Sequence, residues 1–134
     1  MIVVDTNVLA YLLLGGEKTP QARAAFVKDP EWAAPRLWRS EFRSVLAGYL
    51  RRGHLTAALA RSFMGEAEAL LGEADYEPDS NDVLRAVASS RCSSYDCEFV
   101  ALAEALRVTL VTCDRQILDA FPTVAVSLDV FSTK

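Results

Sequence analysis

The stretch Ile2-Val3-Val4-Asp5-Thr6-Asn7-Val8-Leu9-Ala10-Tyr11-Leu12-Leu13-Leu14 decides the reading of the fold. Three apolar β-branched residues in a row indicate a buried strand, and the leucine-rich run that starts at Val8 indicates a helix. Asp5-Thr6-Asn7 joins the two, so Asp5 stands at the carboxyl end of the strand. An open α/β sheet opens its ligand crevice at that edge. One acid there is only a pointer, and its meaning depends on which other side chains reach the same edge.

Outward from this stretch, Gly15-Gly16 closes the first helix and Thr19-Pro20 starts a short second one over 21–27. Trp32-Ala33-Ala34 reads as a brief strand, and Pro35 opens a helix over 36–52 that Gly53 ends. On that helix Trp38, Phe42, Val45, Leu46 and Tyr49 share one face at 3.6-residue spacing. Glu41 is one turn from both Trp38 and Val45 and borders the apolar face, whereas Arg39 and Arg43 lie away from its centre. A helix over 55–71 follows, with Leu55, Leu59, Phe63, Ala67 and Leu70 as its stripe and Glu66 and Glu68 in solvent. Residues 75–78 supply a short edge strand. Asp79 or Ser80 caps a helix that buries Val83, Leu84 and Val87. Ser93 or Ser94 caps a strongly apolar helix over 95–107, with Asp96 in its first turn. Residues 109–112 form the second clear strand, and Asp114 comes immediately after it. A short helix over 115–121 and a final strand over 124–128 complete the pattern. Strands alternating with helices predict an α/β fold: one domain over 1–134, with a central, mostly parallel sheet of four to five strands and helices on both faces.

Composition narrows the chemistry. With 51% hydrophobic and 24% charged residues, the 134-residue chain has the make-up of an ordinary globular protein. A net charge of −4 argues against coating nucleic acid by blanket positive charge. Arginine outnumbers lysine, and its planar fork suits phosphate, although a general preference for arginine explains the count more simply. Cys92, Cys97 and Cys113 form no CxxC pair and His54 is the one histidine, which argues against structural zinc. Few, unpaired cysteines fit a reducing cytoplasm, where thiols serve as small buried hydrophobes. Asp5 interrupts an apolar start that lacks a basic flank, and the run 8–14 is too short to span a bilayer. The expectation is a cytoplasmic protein with no membrane partner.

Four acids are candidates for a shared site. Asp5 and Asp114 each follow a buried strand, and parallel strands present their carboxyl ends on one edge. Asp96 enters from a helix N-terminus and Glu41 from the border of an apolar stripe. Each has a plainer explanation alone: a strand end, a helix cap, a complement to the helix dipole, a solvated edge. Gathered together without a lysine or arginine they would repel one another, and burial would raise their pKa values. A divalent cation removes that difficulty. An oxygen-only donor set selects a hard ion, Mg²⁺ or Mn²⁺, which can activate water and bridge phosphate oxygens. The chemistry implied is hydrolysis of a phosphodiester.

Asp5-Thr6-Asn7 after a strand, Glu41 in the helix after a proline, Tyr95-Asp96-x-x-Phe99-Val100-Ala101-Leu102-Ala103 and Thr112-x-Asp114 together resemble the PIN-domain ribonucleases. Within them the chain is most similar to VapC-type toxins of bacterial and archaeal toxin–antitoxin pairs. The resemblance implies that Asp5, Glu41, Asp96 and Asp114 form an acidic metal-binding quartet. It implies further that the Thr112 hydroxyl supports the quartet and that Asn7 is a pocket residue. It also implies RNA as substrate, Mg²⁺ or Mn²⁺ as cofactor, a homodimer, and a cognate antitoxin as inhibitor. Two other readings stay open at this stage. One is a PIN-like module that binds RNA or protein without catalysis, against which the presence of all four acids counts. The other is a phosphatase of the haloacid dehalogenase type with Asp5 as nucleophile, which is weakened by Asn7 standing where that family's second Asp belongs. Arg36, Arg39, Arg43 and Arg115 lie in segments bordering the proposed crevice as candidate phosphate contacts, with a solvated charged face as the plainer account of each. Trp32 and Trp38 are candidates for base stacking, with core packing the plainer account of Trp38.

Overall fold

The structure, a computed structural model, describes residues 1–133. Five short strands form one sheet: β1 (Ile2–Val4), β2 (Trp32–Pro35), β3 (Asp75–Tyr76), β4 (Leu110–Thr112) and β5 (Ala125–Ser127). Every neighbouring pair is parallel, and the strand order is β3-β2-β1-β4-β5. Strands covered on both faces carry continuous apolar runs instead of an alternation. Val3, Ala33, Leu110 and Val111 are accordingly sealed from solvent. The chain steps from β1 to β2 and β3, then returns to the other side of β1 for β4 and β5. The order therefore reverses between β1 and β4, and the carboxyl ends of these two strands flank the switch point where such sheets open a crevice.

Helices α1 (Thr6–Leu14), α2 (Thr19–Lys28), α3 (Leu37–Arg51) and α4 (Ala57–Leu71) lie in the crossovers that run one way along the sheet. Helices α5 (Ser80–Ala88), α6 (Ser94–Leu106) and α7 (Arg115–Ala120) lie in those that run back. Right-handed crossovers put these two groups on opposite faces. Helix α1 packs on α2, α3 and α4, while α5 packs on α6, which crosses β1, β2 and β4. Cys97 and Phe99 to Ala103 of α6 are all buried, as a helical run that is apolar on every side must be. Its placement between the sheet and α5 fixes where its first turn, with Asp96, emerges.

Several boundaries and faces differ from the sequence reading. Helix α1 begins at Thr6, because Asp5 itself caps it. Pro35 ends β2, level with Tyr76, instead of opening a helix, and the helix starts at Leu37. Helix α4 starts after Thr56, whose hydroxyl accepts from the Leu59 N–H. Its buried line is Ala60, Ala67 and Leu71, and Leu59 is 49% exposed. Small residues let α4 approach α1, α3 and β2 closely, which rotates the larger stripe partly outward. On α5 only Ala86 is buried, Val83 and Val87 are partly covered, and Leu84 is exposed. The last strand is shorter than expected: Leu128 is the buried first residue of helix α8 (Leu128–Thr133), which packs back on α2.

Candidate active site

The parallel register pairs Val4 with Val111, which sets Asp5 level with Thr112 on the adjacent strand. The Thr112 hydroxyl donates to Asp5 Oδ2 and accepts the Asp114 N–H at 3.0 Å, so one buried side chain ties the two strand ends together. Asp5 Oδ1 accepts the Val8 N–H at 3.0 Å, which gives the first turn of α1 its cap. Asp114 caps α7: its Oδ1 accepts from the N–H groups of Gln116 (2.8 Å) and Ile117 (3.4 Å). Asp96 is the third residue of α6 and is positioned by its own N–H, which donates to Ser93 Oγ at 3.0 Å. Glu41 comes from α3, and its Oε1 accepts the Thr6 hydroxyl at 2.7 Å. The caps explain why acids occupy the positions of Asp5 and Asp114. They do not explain why four of them face one space.

Asp5, Glu41, Asp96 and Asp114 all line a single cavity of about 290 Å³. Thr6, Asn7 and Ser44 share its wall, and Val45, Phe99 and Ile117 supply the apolar part. Among the described residues, no lysine or arginine lines it. Burial pushes the Asp5 carboxyl above its ordinary value; Thr112 and the Val8 and Cys113 amides pull the other way, and the Asp114 charge adds to the rise. Glu41 is raised by burial and then by the charges of Asp96 and Asp5, with Thr6 opposing. Asp96 is raised by burial and by Asp114. Three carboxyls thus carry the signature of mutual repulsion in a partly dry site. A larger cavity of about 530 Å³ beside α5 and the turn after α7 holds an Asp82–Arg85 ion pair and Glu104, so size alone does not pick out the chemistry.

The donor set fits a hard divalent ion: carboxylates and hydroxyls, with no imidazole or thiolate on the wall. Among the described residues, no three His, Cys, Asp or Glu side chains are gathered tightly enough to hold an ion as they stand. Asp5, Glu41 and Asp114 each accept a hydrogen bond from a donor of their own. Mg²⁺ does not need a closed protein cage, because it keeps several waters and is held through one or two carboxylates plus substrate phosphate.

The other sequence candidates disperse. Trp32 and Trp38 are buried, so neither offers a face to a base. Arg36 and Arg39 turn to Asp75, and Arg43 donates to the Arg39 carbonyl and to Ser40. None of these three lines the acidic cavity, and Arg115 lines a neighbouring one. His54 is exposed, with its ring edge against Tyr49. Cys92 and Cys97 are buried and Cys113 is partly covered, and all three are free thiols. Two wall residues, Thr6 and Ser44, were not legible as such. Thr6 looks like part of a turn until Glu41 is seen to reach it. Ser44 sits three residues after Glu41, a helical spacing that shares a face.

A parallel α/β sheet with an oxygen-only acidic cleft at its switch point offers donor chemistry that suits a hard cation. The PIN domain family model matches residues 2–122, and the chain belongs to that family. Ribonuclease VapC3 from Pyrobaculum aerophilum is 29% identical over 124 residues, which is 90% of this chain and 95% of that protein. Among solved structures, PAE2754 from Pyrobaculum aerophilum superposes with a TM-score of 0.77 at 22% identity, covering 98% of this chain and 93% of the other. FitAcB from Neisseria gonorrhoeae gives 0.73 at 15% identity, covering 96% and 98%. A toxin–antitoxin complex from Klebsiella pneumoniae gives 0.61 at 20% identity, covering 96% and 98%. At these identities the solved structures establish the shared fold.

Proposed function

We propose that this chain is a metal-dependent endoribonuclease, the toxin of a toxin–antitoxin pair, which hydrolyses RNA phosphodiester bonds. The observation that carries the reading is four carboxylates lining one cavity in which, among the described residues, no cationic side chain takes part. Membership of the PIN-domain family and the similarity to a protein named ribonuclease support RNA as the substrate. The likeness to a toxin–antitoxin complex supports a protein inhibitor as partner.

Asp5, Glu41, Asp96 and Asp114 would hold Mg²⁺ or Mn²⁺, and the bound ion supplies charge neutralisation for the phosphodiester and an acidified water. Thr112 and Thr6 are positioning residues: the first fixes the Asp5 carboxylate from β4 and the second fixes Glu41 from α1. The caps made by Asp5 and Asp114 leave further lone pairs on both carboxylates for a cation. Asn7 is exposed at the cavity wall, where its amide offers donors and an acceptor to a ribose or base. The apolar contribution of Val45, Phe99 and Ile117 keeps part of the wall dry, which strengthens electrostatic interactions within the cavity.

The same reading assigns residues 1–134 to one domain, acting as a homodimer. No helix among the described residues is long and apolar enough to cross a membrane. Free thiols and an RNA substrate favour the cytoplasm as the place of action.

The test is cleavage of a mixed single-stranded RNA by purified protein with Mg²⁺ or Mn²⁺, with and without EDTA. Chelation is expected to abolish cleavage, and Asp5→Asn and Asp96→Asn are expected to remove it with the circular dichroism spectrum unchanged. Full activity in both folded variants overturns the mechanism.

A further inference from the structure

The acidic cavity leaves a problem that its own residues do not solve. An RNA strand brings a phosphate at every nucleotide, and only the scissile one can be met by an ion held on the carboxylates. The flanking phosphates must pass a site that repels them. Of the four arginines near the cleft, Arg36 and Arg39 are committed to Asp75 and Arg43 to its own helix. Arg115 differs: it is exposed and, among the described residues, makes no ion pair and no side-chain hydrogen bond.

Arg115 lines a second cavity, of about 280 Å³, with Lys18, Cys113, Ser127 and Asp129. Both cavities are lined in part by the segment that follows β4. Cys113 and Arg115 face the second, and Asp114 between them faces the first. Consecutive Cα atoms are about 3.8 Å apart, so the sites are neighbours along the carboxyl edge of the sheet. Lys18 is held across the second cavity by Asp129, at 3.1 Å from Oδ2. That pair is exposed and open to exchange, since surface ion pairs are weak and salt-screened. With Asp129 counted against Lys18 and Arg115, the cavity carries one net positive charge. It is a cationic step directly beside an anionic one.

We infer that Arg115, assisted by Lys18, forms a phosphate subsite that engages an RNA backbone phosphate flanking the one at the carboxylate cavity. The inference rests on the proposed nuclease reading and adds to it the path of the strand: past Asp114 and over the end of β4 toward β5. Arginine suits this work because its planar fork binds phosphate oxygens in pairs and stays charged. The contact holds the backbone and reads no base.

The test compares the wild type, Arg115→Ala, Arg115→Glu, Arg115→Lys, Lys18→Ala and, as a remote exposed control on α4, Arg61→Ala. The substrate is one labelled single-stranded oligoribonucleotide with Mn²⁺ present. Arg115→Ala is expected to raise KM on the order of fivefold, about 1 kcal/mol at a factor of ten per 1.4 kcal/mol, with kcat nearly constant. Arg115→Glu is expected to raise KM further, and Arg115→Lys to recover part of the loss. The slope of log affinity against log salt is expected to fall by about 0.7 for the lost contact on a single strand. Lys18→Ala should move both readouts in the same direction by less, and Arg61→Ala should move neither. If the wild type cleaves while Arg115→Ala and Arg115→Glu keep the KM and salt slope of Arg61→Ala, the subsite is overturned and the nuclease reading stands. If the wild type cleaves no RNA with either metal, the nuclease reading itself fails.

Discussion

Asp75 and Asp5 stand at almost the same level of one sheet, yet they are served by opposite kinds of neighbour. The parallel register sets Asp75 level with Val4, one residue short of Asp5. Asp75 is 9% exposed and meets Arg36 Nε at 3.2 Å, Arg39 Nε at 2.7 Å and the Trp38 indole N–H at 2.9 Å. Asp5 is just as covered but receives only neutral donors, a hydroxyl and backbone amides, with Asp114 adding negative charge nearby. The first carboxylate has its counterions supplied by the chain, and α3 is tied to β3 as a result. The second has none, and its surroundings raise its pKa. An acid neutralised from within ties elements of the fold together, whereas one left uncompensated beside three others keeps a negative charge that an external cation would offset.

Removing the uncompensated acid breaks this contrast most directly. Asp5→Asn is expected to lower metal-dependent RNA cleavage by more than the roughly 10–100-fold that loss of an outer-shell partner costs. Steady-state cleavage rates measured with saturating Mn²⁺ check it. Thr112→Val is expected to fall within that 10–100-fold range, because the carboxylate stays but loses its orienting donor. It also leaves the half-buried Asp114 N–H without its acceptor, so a drop in thermal stability should accompany the loss.

At the compensated acid the pattern inverts. Asp75→Ala strands the indole N–H of the buried Trp38 and is expected to destabilise the fold by about 1–3 kcal/mol. Activity per folded molecule should hold. Urea unfolding alongside cleavage rates would show whether the two effects separate in this way.

The smallest effect concerns pH. Asp5, Glu41 and Asp96 bind their protons more tightly in the folded chain than in the unfolded one, whose carboxyls titrate near the ordinary 3.8 and 4.5. Between those values and the raised ones the folded state holds more protons, so metal-free stability falls as pH rises through this window. Added Mg²⁺ should offset the fall by binding the folded state only. Asp96→Asn should flatten the profile and raise metal-free stability by no more than about 1 kcal/mol. Melting temperatures measured from pH 4 to 8 with EDTA or Mg²⁺ test the sign, and a metal-free stability that climbs with pH would contradict it.

Much of the site was legible because it lies where periodicity breaks. Asp5 and Asp114 interrupt apolar runs at strand ends, and Asp96 follows a capping serine. These are local signals that no distant contact has to supply. Glu41 was legible only as an acid bordering an apolar stripe. Thr6 and Ser44 were hidden, since a hydroxyl in a first turn and a serine on a helix look the same whether or not a cavity faces them. The partners of Arg36 and Arg39 were hidden for a related reason: nothing near either residue in the chain announces that Asp75 will pair with both.

The sequence by itself determined the alternation of strand and helix, the parallel sheet and the acids at its edge. Each of these follows from apolar runs, caps and breakers that act over a few residues. The tertiary structure alone decided the faces that α4 and α5 present, the turn of the chain end into α8, and the division of charge among the acids. Those depend on which elements become neighbours, and neighbours far apart in sequence are chosen by packing. The separate fates of Asp5 and Asp75 were settled there, by an arginine pair delivered to one and withheld from the other.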